Sequence, residues 1–225
     1  MRGNQKHKNY KIKWIPEFAY AIGLLTTDGN LSSDGRHFDF TSKDIQLINT
    51  FKKCLGLNVK IGYKTSDHTD KYYPRVQFSN KKLYQYLLSI GLRPNKSKIL
   101  GKLDIPEIFF FDFLRGHFDG DGCFYSFWDK RWPNSFMFYT NFISASYKHI
   151  KWLRVSLKKL LSIKGALGKQ RTVWQLKYAK EESLILLPKM YYDINLPCLK
   201  RKRCKIEKII KLSEGRVREL ADRHG

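Results

Sequence analysis

The sequence predicts an α+β fold made of two pseudo-symmetric units, each running helix–strand–strand–helix–strand–strand–helix (αββαββα). Three observations predict it. One pattern occurs twice: Ile15-Pro16-Glu17 followed by Gly23 and, five residues on, Asp28-Gly29; and Ile105-Pro106-Glu107 followed by Gly116 and Asp121-Gly122 at the same spacing. Stretches of period-two and helical alternation then follow each copy in the same order. Finally, 42% hydrophobic and 15% aromatic residues over 225 positions are enough for a packed core.

Met1 to Lys13 reads as a basic polar arm, and the first half spans residues 14–101. Its leading helix starts at Pro16-Glu17, where proline is preorganised and a carboxylate meets the positive end of the helix dipole. It stops at Asp28-Gly29, with the glycine expected in the left-handed position. A short strand, His37–Thr41, precedes a helix from Lys43 to Leu55. Strands Asn58–Lys64 and Tyr72–Phe78 follow, then a helix from Lys81 to Ile90. Gly91-Leu92-Arg93-Pro94-Asn95 ends this half and residues 102–106 form a linker. The second half, 107–212, repeats the order. A helix ends at Asp121-Gly122, followed by strands Cys123–Trp128 and Phe136–Ile143 and a helix Tyr147–Leu161. Strands Ala166–Arg171 and Val173–Tyr178 and a helix Glu181–Tyr191 complete it. The tail, 213–225, is charged and reads as either helix or disorder.

Charge narrows the partner. Lys and Arg total 43 against 20 Asp and Glu, a formal net charge of +23. Such self-repulsion points to a polyanion, DNA or RNA first; a basic surface kept for solubility is the plainer alternative. The most apolar stretch, Ile105 to Phe118, is interrupted by Pro106, Glu107, Asp112, Arg115 and His117, so no membrane span is expected. The basic, polar first residues lack the apolar core of a signal peptide. An intracellular protein is therefore expected, in the cytoplasm or in an organelle holding its target. The four cysteines form no CxxC pair, which predicts reduced thiols and no structural zinc. The lack of a Rossmann glycine pattern or an RNA-recognition aromatic motif weighs against an RNA-modifying or tRNA-binding protein.

Gly23 and Gly116 interrupt helical patterns, where glycine costs about 1 kcal/mol relative to alanine. Close approach of a second backbone would compensate. If the two helices pack at these glycines, Asp28 and Asp121 come together at their C-terminal ends. Two carboxylates at the negative ends of two dipoles repel one another, and a divalent cation relieves both problems. Oxygen-only ligands select a hard ion such as Mg²⁺, with Ca²⁺ or Mn²⁺ able to substitute in binding. Such an ion supports phosphodiester hydrolysis. Taken singly, each Asp-Gly also reads as an ordinary helix stop; the matched pair is what favours chemistry.

Segments Ala21–Gly29 and Leu114–Gly122 resemble the signature of the LAGLIDADG homing endonucleases in their single-chain, two-motif form, and the likeness covers Trp14 to Leu212. Thr26 and Thr27 stand where the signature has Asp and Ala, and Arg115, His117 and Phe118 where smaller or aliphatic residues are usual. The resemblance implies two four-stranded antiparallel sheets forming a saddle over duplex DNA. It implies Asp28 and Asp121 as metal-binding catalytic residues of a monomer that cuts both strands of a long asymmetric target across the minor groove, leaving 3′ overhangs. It also implies a basic residue near each acid: Lys96 in Pro94-Asn95-Lys96-Ser97, and Lys202 in Leu199-Lys200-Arg201-Lys202-Arg203, with Lys98 and Lys200 competing for these roles. A free-standing, intron-encoded enzyme fits this pattern. An intron-splicing maturase or a DNA-binding regulator on the same fold is the alternative. His117 reads as structural, inside the helix interface, and Asp119 as a cap or hydrogen-bonding residue.

Strand alternation nominates the DNA-reading side chains. Lys60 and Lys64 oppose Val59, Ile61 and Tyr63; Arg75 and Gln77 oppose Val76 and Phe78; Gln175 and Lys177 oppose Trp174, Leu176 and Tyr178; Lys169 and Arg171 share a face. A merely solvated outer face is the alternative reading. The first hairpin of the second half is the longer of the two and carries Lys130 and Arg131 near its tip, which predicts an asymmetric target.

Overall fold

The computed structural model describes residues 12–66, 69–130 and 135–222. Among these, the first half runs α1 (Pro16–Thr27), β1 (Gly29–Leu31), β2 (His37–Thr41), α2 (Ile45–Cys54), β3 (Gly62–Ser66), β4 (Thr69–Ser79) and α3 (Lys81–Ser89). After a 3₁₀ turn at Glu107–Phe109, the second half runs α4 (Phe110–Asp121), β5 (Cys123–Trp128), β6 (Phe136–Ser144), α5 (Tyr147–Leu161), β7 (Ala166–Gln170), β8 (Val173–Tyr178), α6 (Lys180–Met190) and α7 (Lys200–Asp222). The two four-stranded antiparallel sheets have equivalent orders, β1-β2-β4-β3 and β5-β6-β8-β7. The α+β fold of two repeated units is therefore present.

The core explains the alternation. Phe38, Phe40, Val76 and Phe78 are buried on one face of the first sheet, and Phe124, Phe138, Phe142, Leu176 and Tyr178 on one face of the second. Amphipathic helices cover these faces through buried residues such as Leu47 and Phe51 of α2 and Ile150 and Leu153 of α5. Between the halves, α1 is buried continuously from Phe18 to Thr26. Most of that surface excludes water by packing on α4 and α2. The caps agree with local chemistry: Asp44 and Asn80 accept from the backbone N–H groups of Gln46 and Leu83 at the starts of α2 and α3.

Several expectations are corrected. Neither Gly29 nor Gly122 is left-handed; Gly122 has φ −76° and ψ 160°, and each chain passes straight from helix into strand. Glycine is needed there for space, because a Cβ at Gly29 would lie 2.6 Å from the Leu25 Cα and one at Gly122 2.5 Å from the Phe118 ring. Pro106 caps the 3₁₀ turn and does not open α4. The first strand of the opening pair, expected from the repeated order but not located in the sequence, is the three-residue β1. β3 begins at Gly62, not Asn58; Val59 and Ile61 pack against the core without pairing to a strand. Alternation there reports one-sided burial, not hydrogen-bonded pairing. Lys60 therefore precedes the sheet, and Tyr63 is 62% exposed. α7 runs from Lys200 to Asp222; its first part, 200–212, carried no helix assignment, and beyond 213 the helical of the two readings holds as far as Asp222. The linker is tied down, with Leu103 buried and the Asp104 N–H donating to the Ile90 carbonyl.

Candidate active site

Two glycines let α1 and α4 touch through their backbones. A Cβ at Gly23 would lie 2.2 Å from the Phe113 carbonyl oxygen, and one at Gly116 2.0 Å from that of Tyr20. Any larger residue would wedge the helices apart. A third glycine, not singled out from the sequence, continues the contact to the helix ends: a Cβ at Gly120 would meet Thr27 Oγ1 at 2.0 Å and Asp28 Oδ2 at 3.2 Å. The Asp28 carboxylate thus rests against the second helix beside Asp121, as the paired motifs require.

Two lysines converge on this point. Lys96 is buried, and its ammonium donates to the carbonyl of Gly29, the residue after Asp28. Lys202 reaches back from α7 and donates to the carbonyls of Phe118 (2.6 Å), Asp119 (2.9 Å) and Gly122 (2.6 Å), the last being the residue after Asp121. Each ammonium thus places positive charge on backbone carbonyls at or just beyond the negative end of a central helix. The competing Lys98 and Lys200 are exposed. Burial turns Lys96 and Lys202 inward where sequence could not separate them from their neighbours.

The electrostatics are those of a site short of cations. Burial and then the Asp121 carboxylate push Asp28 up to about 6, while Lys202 and Lys96 pull it back. Asp121 is raised as well, chiefly by desolvation against the cleft walls, although more than a third of its own surface stays open to solvent. Desolvation lowers Lys96 and Lys202 to about 8 each, opposed by the nearby carboxylates, Asp121 first for Lys96 and Asp119 first for Lys202. Two oxygen donors make no closed metal cage, and no group of three or more His, Cys, Asp or Glu among the described residues could hold a metal ion. The pair fits an open site for a hard divalent ion, completed by water and phosphate oxygens.

Behind Asp121 lies a cavity of about 230 Å³ lined by Lys96, Thr26, Thr27, His117 and His149. The two imidazoles stack at 5.2 Å, and burial lowers both pKa values, that of His149 to about 4. His149 Nδ1 pairs with the Gly101 carbonyl at 2.9 Å; His117 Nδ1 and His149 Nε2 are buried with no hydrogen-bond partner among the described residues. His149, on α5, carried no motif signal. Asp119 is a structural acceptor, taking the Tyr20 hydroxyl at 2.8 Å and the Leu199 N–H at 2.7 Å. Arg115 is fully buried and donates to Asp112 and to the carbonyls of Met190 and Pro197, anchoring the segment that leads into α7.

The outward sheet faces hold half of the ten nominated DNA-contacting residues. Arg75, Gln77 and Lys64 share the outward face of the first sheet, and Gln175 and Lys177 that of the second. Lys169 does not join them. The hairpin register sets it opposite Trp174, with its ammonium 5.7 Å from that ring, on the face that carries the core. Arg171 lies in the β7–β8 turn with φ 53°, so strand alternation does not apply to it. Lys130 is exposed in the β5–β6 connection, and Arg131 falls outside the described residues.

No protein-family model matches the chain, and no curated protein matches it. Solved structures do. The homing endonuclease I-DmoI in complex with DNA and Ca is similar with a TM-score of 0.56 at 18% identity, over 85% of this chain and 97% of that one. The K262A mutant of I-SmaMI is similar with a TM-score of 0.58 at 13% identity, over 93% and 96%. The N-terminal LAGLIDADG domain of DUF199/WhiA has a TM-score of 0.53 at 17% identity, over 87% and 88%. With its duplicated units, paired sheet orders and glycine-notched central helices, the chain has the LAGLIDADG fold.

Proposed function

We propose that this protein is a site-specific, metal-dependent DNA endonuclease of the homing type. It would act as a monomer, hydrolysing both strands of a long asymmetric duplex target and leaving 3′ overhangs. One observation carries the reading: the Asp28 carboxylate packs against the opposite helix beside Asp121, and two inward-turned lysines each bond the carbonyl that follows one of these acids. A site for binding alone has no need of two carboxylates brought to the ends of two packed helices. The DNA and Ca named with I-DmoI agree with this reading.

Asp28 and Asp121 would hold Mg²⁺. The bound ion would acidify water and neutralise charge on the phosphodiester oxygens. Lys96 and Lys202, fixed by backbone carbonyls, place positive charge where the pentavalent phosphate becomes more negative. The cavity at His117 and His149 would keep water beside Asp121. Both units, residues 14–101 and 107–212 joined by 102–106, would set their outward sheet faces along the major groove. Lys64, Arg75, Gln77, Gln175 and Lys177 would read base edges there, and Lys60, Lys130, Arg131 and Arg171 would contact phosphates.

The test is selection of cleaved ends from a random duplex library with Mg²⁺, followed by cleavage of the recovered site in Mg²⁺, Ca²⁺ or EDTA. Asp28→Asn and Asp121→Asn should each lower double-strand cutting at least about 100-fold while keeping affinity. Strong cutting by either variant would overturn the shared-metal reading. Binding without cutting by the unaltered chain would reduce the function to DNA recognition.

A further inference from the structure

The outward faces of the two sheets differ in chemistry. On the first, Asp39 accepts from Thr41 Oγ1 (2.8 Å), Gln77 Nε2 (3.0 Å) and Arg75 Nη1 (3.3 Å), a polar cluster of hydrogen-bonding groups. On the second, Tyr125 stands opposite Tyr139 and Phe127 opposite Met137, so four large apolar side chains share that face. Tyr139 stacks with Tyr125 at 5.3 Å and with Phe127 at 5.9 Å. Phe127 is 43% exposed, and Tyr125, Met137 and Tyr139 are partly so. The Lys177 ammonium lies 5.8 Å and 5.6 Å from the Tyr125 and Tyr139 rings.

This strip begins at the candidate site. Cys123, Tyr125 and Phe127 alternate outward along β5, which starts two residues after Asp121. A contiguous, partly exposed apolar patch on a chain of net charge +23 marks a binding surface, and the lysine over its rings suits a polyanion. In the major groove, the apolar group a duplex offers is the C5-methyl of thymine. We infer that Tyr125, Phe127, Met137 and Tyr139 read thymine methyl groups, making one half-site thymine-dependent while the other is read by hydrogen bonds through Arg75 and Gln77. At about 3.3 Å per strand residue against 3.4 Å per base pair, the strip lies roughly four to six base pairs from the cut. The inference rests on the duplex-DNA-binding part of the reading above for the identity of the ligand.

The test uses the full chain and a duplex selected from a random library in Ca²⁺. Thymines are replaced by deoxyuridine, which removes only the methyl, in one half-site at a time. One half should weaken by about fourfold for each contacted methyl, and the other by less than about twofold. Phe127→Ser, with its melting temperature checked, should abolish part of that response while leaving the insensitive half unchanged. Equal responses in both halves, no response, or a response untouched by Phe127→Ser would overturn the inference. Methyl dependence without any cutting in Mg²⁺ would sink the nuclease reading and leave this one standing. Failure to select any duplex would sink both.

Discussion

Asp28 shows chemistry and stability in opposition. Its pKa of about 6 lies above the ordinary 3.8, so the fold favours the protonated carboxyl. The contribution to stability is full below pH 3.8 and is lost as pH rises through 6. In EDTA, Asp28→Asn should therefore melt higher than the unaltered protein at pH 7 and level with it at pH 4, by roughly 2–4 °C for each kcal/mol relieved. Mg²⁺ should raise the melting temperature of the unaltered chain more than that of the variant. A variant that melts lower than the parent at pH 7 would contradict this account. Lys96 can be tested by activity: Lys96→Met should slow cutting roughly 100-fold with little change in affinity, whereas Lys98→Met should leave the rate near normal. The resemblance nominated Lys96 and Lys202 with Lys98 and Lys200 as competitors; burial and carbonyl bonds now set the first two apart.

At the level of elements, the α1–α4 contact is set by backbone sterics. Gly23→Ala or Gly116→Ala drives a Cβ into a carbonyl about 2 Å away, which no rotamer change can relieve. Each should cost at least about 3 kcal/mol and lower the melting temperature by roughly 6–12 °C. Gly101→Ala, with nothing within 4 Å of its Cβ, is the matched control and should stay within about 0.5 kcal/mol. Thermal melts of the three variants decide it. Gly23 and Gly116 were legible because glycine is costly inside a helix. Gly120 was not, since a glycine beside a helix end reads as a stop. β1 was too short to show alternation, and α7, dense in lysine and arginine, carries only a thin apolar stripe through residues such as Ile206 and Ile209.

For the whole molecule, the duplication is not an exact symmetry. β5 and β6 are longer than β1 and β2, and their connection carries the exposed Lys130. The second half should therefore protect more base pairs than the first. Hydroxyl-radical footprinting on the selected duplex would check this, and equal protection on the two sides of the cut would count against it. The chain has no helix among its described residues long and apolar enough to cross a membrane. Both acids lie on one polypeptide, so a single copy completes the candidate centre.

By itself the sequence determined what is periodic and local: the duplicated order of elements, the helix pair notched by glycine, the two acids, the excess of positive charge, and the core faces of β4 and β8. These survive because side-chain periodicity and backbone sterics act within a few residues. Tertiary structure decided what depends on register and burial. It placed Lys169 with Trp174 on the core side, turned Lys96 and Lys202 inward, brought His149 beside His117, and gathered four apolar side chains from two strands onto one outward face. A strand's neighbours lie across a hydrogen-bonded ladder and not along the chain, so their identity is fixed only when the sheets close.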